Sequence, residues 1–228
     1  VEKNVLNYQQ GFIYVVKNNC IPDWFNIENI KMSNLADNLS MQLIESQIKI
    51  GENIFNSREI EGDILEIGCN KGKTSLHIRK VMNLTDSKKT LHVYDSFEGF
   101  SKPNVEKGEE HLREGDLKVS KTDVLETFLG SGFKPPIIHE GNVLKILDTN
   151  LPDKISVVLI DCDLYDPIIH SLRLVSKKLS IGGIIMVHDY NHKNFPGVKK
   201  AVNEFLNLNN DIFDILDTDL FTIRRKIF

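Results

Sequence analysis

The chain has 228 residues, 41% of them hydrophobic and 26% charged, the balance of an ordinary globular domain with a sizeable core rather than of a disordered or coiled-coil chain. Its 28 Lys and Arg against 32 Asp and Glu give a formal charge of −4, so no global basic field exists to hold a nucleic-acid backbone, and nucleic acid is not an expected partner. The longest apolar runs, such as 155–160 and 184–187, fall far short of the roughly 20 residues that span a bilayer. Cys20, Cys69 and Cys162 form no CxxC pair; reduced thiols and, with no visible export signal, a cytoplasmic location are expected.

Residues 1–31 mix aromatics (Tyr8, Phe12, Tyr14, Trp24, Phe25) with Asn and Lys without a sustained period, which predicts an N-terminal arm or cap ahead of one domain over 32–228. From Ser33, a candidate N-cap, Leu35, Leu39, Leu43, Ile44, Ile48 and Ile54 recur near helical spacing and predict a helix. The chain then alternates. Strands are predicted at 63–67, 91–94, 137–139, 155–160 and 184–187, and helices at 73–82, 121–129, 142–147, 167–179 and 198–206. Alternation of this kind implies crossover connections and a mostly parallel, doubly wound α/β sheet covered on both faces. The end differs: 213–216 and 221–227 flank the polar turn Asp217-Thr218-Asp219 and predict a closing antiparallel hairpin. A parallel sheet ending in such a hairpin resembles the Rossmann-like arrangement of class I methyltransferases. Residues 101–121 hold ten charged residues and two glycines, and read either as a solvated insertion or as a lid loop over a site.

The sharpest local signal is GDILEIGCNKGKTS, residues 62–75, a strand running through a glycine turn into a helix. A Walker loop would need four residues between its first glycine and Gly-Lys-Ser/Thr, but Gly68 and Gly72 enclose only three. The dinucleotide fingerprint fails as well, because position 70 is Asn where GxGxxG needs glycine. A nucleoside-sulfonium ligand asks for something else: room for its amino-acid end, acceptors for two ribose hydroxyls and an adenine edge. Gly68 and Gly72 leave that room, and Glu66 either organises the loop or meets the amino-acid end. Asp95, 27 residues after Gly68 at the end of the second strand, can accept from both ribose hydroxyls. Asn142 follows the third strand, placed to meet the adenine. In open α/β sheets, ligands bind at the carboxyl ends of the strands.

The fourth strand ends in Asp161-Cys162-Asp163-Leu164-Tyr165-Asp166 and the fifth in His188-Asp189-Tyr190. Carboxylates that converge repel unless they share a cation or a proton. Asp161 and Asp189 are therefore candidate ligands of a hard cation, Mg²⁺ first. Asp163 and Asp166 read equally as further ligands or as caps of the following helix. His188 is a candidate ligand or base. The other six histidines show no metal spacing and are expected in structural or surface roles.

EIGCNKGKTS, VYDSFEGF, DCDLYDP, LSIGGIIMVHDY and PGVKKAVNEF together resemble the macrocin O-methyltransferase (TylF-type) family over roughly residues 31–206. The resemblance implies an S-adenosylmethionine-dependent, typically Mg²⁺-dependent enzyme that methylates sugar hydroxyls of natural products. It places Glu66, Gly68 and Gly72 in the cofactor loop, Asp95 and Ser96 at the ribose, Asp161 as metal ligand and base, and Asp189 as second ligand. Where the family usually shows Asp-Asp-Tyr this chain has His188-Asp189-Tyr190, which implies a weaker site, a softer ion held through imidazole, or none. The expected activity is O-methylation of a sugar in a glycoside, natural product or cell-surface glycan precursor, with a small-molecule or glycan acceptor. A homo-oligomer is compatible with the sequence, which sets no oligomeric state. Two alternatives stand beside it: a P-loop-like nucleotide hydrolase, and a methyltransferase-fold binding subunit without chemistry.

Overall fold

The computed structural model describes residues 34–101, 106 and 108–227, with side chains from Glu45 onward. The predicted N-terminal arm and the Ser33 cap lie outside the described residues. Helix α1 (Asn34–Asn56) leads into β1 (Asp63–Ile67), α2 (Lys73–Leu84), β2 (Leu91–Asp95), α3 (Lys121–Phe128), β3 (Ile137–Glu140), α4 (Val143–Asn150) and β4 (Ile155–Ile160). Then come α5 (Tyr165–Lys178), β5 (Leu179–Val187), α6 (Pro196–Asn207), β6 (Phe213–Asp217) and β7 (Phe221–Arg225). The seven strands form one sheet in the order β3-β2-β1-β4-β5-β7-β6, parallel through β5 and antiparallel for the last pair. No helix among the described residues is long and apolar enough to cross a membrane.

Every residue of β4 is buried, as expected of a central parallel strand with both faces covered. Strand parity divides the core. Leu65, Ile67, Val158 and Ile160 pack with Ile168, Leu172, Val198 and Phe205 of α5 and α6. Ile64, Val157 and Leu159 face Ile50, Ile54, Ile78 and Met82 of α1 and α2. Glu66 shares the parity of Ile64, which turns its side chain under α2 rather than along the strand axis.

Strand β5 and helix α6 both start earlier than predicted. β5 begins at Leu179, directly after α5, because Leu179 already pairs with Ile155 before the ladder resumes at Val157↔Ile184. The extra residues, including Gly182 at φ +77°, bulge out of register, and a Gly-Gly pair reads in sequence as a turn. α6 begins at Pro196, the first-turn position that proline tolerates because it needs no N–H partner there.

Parallel pairing runs one residue past each strand and brings the chain ends into line. Gly68 N–H donates to Tyr94 O, Gly141 N–H to Asp95 O, Asp161 N–H to Ile67 O and His188 N–H to Ile160 O, at 2.8 to 3.0 Å. The loops after β1 to β5 thereby open along one edge.

Candidate active site

That edge holds a cleft of about 650 Å³, lined by Glu66, Gly68, Asp95, Ser96 and Asn142 on one side and Asp161, Asp163, His188 and Asp189 on the other. The fold thus brings every sequence-predicted site residue except Gly72 to one cavity.

On the first side, Asp95 is the knot. One carboxylate oxygen accepts from Cys69 N–H (2.9 Å) and Asn70 N–H (3.0 Å), and the other from Phe97 N–H (2.9 Å). It therefore ties the loop after β1 to the loop after β2. The same bonds weigh against a phosphate loop, because the amides that would cradle a phosphate already donate to a carboxylate. Gly68 (φ +83°) is demanded by protein rather than ligand: a Cβ there would lie 2.0 Å from the Asp161 carbonyl oxygen. Gly72 (φ +75°) precedes α2, where a Cβ would lie 2.9 Å from Val124 Cγ1.

Glu66 is 1% exposed and accepts a short bond from the Ser75 hydroxyl in the first turn of α2. Burial pushes its carboxyl well above the ordinary value, the Ser75 bond offsets part of this, and the charges of Asp161 and Asp95 add to it. Its position matches the loop-organising alternative. Ser96 Oγ donates to Gly99 O (3.2 Å) and accepts from Glu98 N–H (3.2 Å), which shapes the turn after β2. Asn142 caps α4 by accepting from Leu144 N–H (2.9 Å), while its amide donates to Ser101 Oγ (3.0 Å).

The second side is charged. His188 Nδ1 lies 3.2 Å from Asp161 Oδ1 and 3.1 Å from Asp189 Oδ2, yet it is buried and makes no aligned hydrogen bond to either. The three ligand atoms lie within 4.8 Å of one another. Attraction to Asp161 outweighs burial and raises the imidazole to about 11. Burial acts to raise Asp189, but the close approach of the His188 ring and its charge leave it below the ordinary range. Asp163 moves the other way, raised well above normal by burial and then by Asp161 and Asp189. Asp163 does not cap α5, whose N-cap is Leu164 with no side-chain bond, while Asp166 stands in the first turn. Instead Asp163 (φ +60°) and Asp189 (φ +57°) both occupy the left-handed region, uncommon for non-glycine residues, and face the same cluster.

Among the described cysteines, Cys69 and Cys162 are free; Cys20 lies outside the described residues. His92 and His139 share a ring-to-ring contact of 3.0 Å within the sheet, and His77 Nε2 lies 2.8 Å from Gln47 O, the structural roles expected of them.

A doubly wound sheet with this strand order, a glycine turn after its first strand and an antiparallel final pair is the fold of class I methyltransferases, as the sequence predicted. The chain belongs to the macrocin O-methyltransferase (TylF) family, whose model matches residues 42–224. It is 30% identical to the demethyldecarbamoylnovobiocin O-methyltransferase of Streptomyces niveus over 179 aligned positions, 73% of this chain and 64% of that protein. This chain thus spans less than two thirds of the length of that curated relative. The solved O-methyltransferase NovP is similar at a TM-score of 0.67 and 25% identity, covering 78% of this chain and 79% of its own. The calicheamicin methyltransferase CalS11 superposes at 0.65 with 16% identity over 96% and 93%, a likeness of fold.

Proposed function

We propose that the chain transfers a methyl group from S-adenosylmethionine to a hydroxyl of an acceptor, a sugar in a glycoside, natural product or cell-surface glycan precursor. The observation that carries this reading is the division of one cleft into two chemically distinct sides, the backbone-tied Asp95 side and the acidic Asp161, His188, Asp189 side. Support for O-methylation comes from the family and from the Streptomyces niveus relative named for it.

In this reading Asp95 and Ser96 hold the ribose, Asn142 meets the adenine, and the Gly68–Gly72 loop, organised by Glu66, takes the amino-acid end. Methyl transfer is an in-line displacement: the acceptor oxygen forms the C–O bond, the S–CH₃ bond breaks, and the sulfonium leaves as a neutral thioether. The hydroxyl proton must go to the protein, and Asp161 is its acceptor. His188 lies 3.1 and 3.2 Å from the two carboxylates, and the charge of Asp161 favours its protonated form in the ligand-free chain; taking the acceptor proton itself would require it to be neutral first.

The second side also fits a divalent cation. Ligand atoms around a Mg²⁺ at about 2.0–2.1 Å stand roughly 3 Å apart, close to the 3.1 and 3.2 Å separations seen here, and the unaligned Nδ1 converges on the carboxylates without bonding them. Asp161, Asp189 and neutral His188 would hold the ion. When bound, it would lower the pKa of the acceptor hydroxyl and orient it.

The test is calorimetric binding of S-adenosylhomocysteine, followed by transfer of a labelled methyl group from S-adenosylmethionine to a pool of glycosides, with Mg²⁺ and with chelator. Binding and transfer support the reading, and loss of transfer in chelator supports the metal. No binding of S-adenosylhomocysteine overturns the whole; binding without transfer across the pool favours the binding subunit.

A further inference from the structure

One buried acid has no part in that chemistry. Glu109 is 0% exposed, and among the described residues no cation pairs with it. Its Oε1 accepts from Gly197 N–H at 2.9 Å and its Oε2 from Glu106 N–H at 2.8 Å. A carboxylate buried without a counter-ion is costly and persists only when hydrogen bonds replace its water. Here the first donor is an amide of α6 that its own sequence leaves uncapped: the N-cap is Phe195, without a side-chain bond, and N1 is Pro196. Glu109 supplies from 88 residues upstream the acceptor that a helix start needs. Gly197 permits the approach, since a Cβ there would lie 2.8 Å from Glu109 Oε1 and 3.0 Å from Tyr165 N.

A second tie runs alongside. Lys200 Nζ meets Glu106 Oε1 at 2.6 Å and lies 4.8 Å above the Tyr165 ring. The described residues around Glu109 therefore rest on the starts of both α5 and α6. Those starts carry cleft-lining residues, Leu164 and Asp166 on one and Phe195 before the other, and Leu117 further along the insertion lines the cleft from its far rim. That rim is pinned in turn by Phe100 N–H to Asp116 O and Gly115 N–H to Phe100 O, both 3.0 Å.

We propose that Glu109 is a positioning residue that latches the insertion after β2 onto α6 and so fixes the acceptor wall of the cleft; naming that wall the acceptor's rests on the methyl-transfer reading. The latch bears on the loop from His188 to Phe195, and the bonds of Glu109 itself go to Gly197 and Glu106, not to Asp95 or the loop after β1.

The experiment compares the full chain with Glu109→Ala and Glu109→Gln, using S-adenosylhomocysteine as the probe. Glu109→Ala should speed tryptic cleavage after Arg113 at least about tenfold, with amide exchange across 188–198 accelerating by a similar factor. Exchange across 66–76 should stay as in the parent, and the dissociation constant for S-adenosylhomocysteine should remain within about twofold. Glu109→Gln keeps the volume and one oxygen acceptor but replaces the other with a donor, so partial rescue is expected, and it stands in should the alanine variant fail to fold. Unchanged cleavage and exchange in both variants would overturn the latch. So would loosening spread equally over 66–76 with a matching loss of affinity, the sign of general destabilisation. If the parent chain does not bind S-adenosylhomocysteine, the methyl-transfer reading fails, while cleavage and exchange still decide the latch.

Discussion

The two sides of the cleft solve opposite problems. After β1 to β3 the loops are closed by backbone: Asp95 receives three N–H groups, Asn142 caps its helix, and Gly68 lets one loop touch the next strand end. After β4 and β5, the side chains are left facing one another. His188 sits between two carboxylates without an aligned bond, Asp163 is pushed up by burial and its neighbours, and two aspartates adopt left-handed backbone. The first side is tied by its own backbone; on the proposed reading, the second would be completed by a proton, a cation or a substrate oxygen. Left-handed backbone and a displaced pKa occur on the first side too, at Asn70, Phe97 and Glu66; what sets the second apart is an imidazole left between carboxylates without an aligned bond.

Removing the base should separate the sides most sharply. Asp161→Asn keeps the volume but cannot take the acceptor proton, and general-base contributions run to about 10²–10⁴-fold. Transfer should fall by about that much while calorimetric affinity for S-adenosylhomocysteine stays within about threefold. Near-normal transfer would remove Asp161 from the chemistry.

The backbone-tied side should fail differently. Gly68→Ala puts a Cβ 2.0 Å from the Asp161 carbonyl oxygen at φ +83°, so the strand ends must part. A loss of about 3 kcal/mol or more in denaturant unfolding is expected, with both sides affected because the clash joins them. Normal stability with weakened cofactor binding would restore the ligand as the reason for the glycine. Asp95→Ala should cost about 1.5–3 kcal/mol of S-adenosylhomocysteine affinity, about 10- to 150-fold, and should loosen amide exchange at Cys69, Asn70 and Phe97. Unchanged affinity would leave Asp95 a loop tie alone.

The alternation of strands and helices, the hairpin and the row of candidate residues were legible because period and strand-end position are local. β1 and β4 match their expected bounds. What escaped was non-local. No local pattern tells that the Cβ direction of Gly68 points at β4, or that Glu109 belongs to a helix 88 residues away. The charge run 101–121 leaves a solvated insertion and a lid loop equally open, because composition alone cannot show that Glu109 is buried. For Asp163 the sequence leaves cap and ligand equally open, because aspartate before a helix often caps it; in the structure Leu164 is the N-cap, and Asp163, in a left-handed turn, faces the cluster.

The smallest expected effect tests whether Glu66 belongs to the backbone-tied side. Its carboxyl is fully buried, with a folded-state pKa well above the ordinary value. An acid shifted upward gives its full stability below its unfolded value, about 4.3. That stability is lost as pH rises from there towards the folded pKa, because the folded chain binds more protons over that window. Glu66→Gln keeps an oxygen for the Ser75 hydroxyl and has no charge to bury, so it should lack this decline. The two chains should unfold alike near pH 4, and the variant should become the more stable, with the higher melting temperature, as pH rises. S-adenosylhomocysteine affinity should not move if Glu66 only organises the loop. A tenfold loss of affinity with melting unchanged across the same pH range would instead put its carboxylate on the amino-acid end of the cofactor.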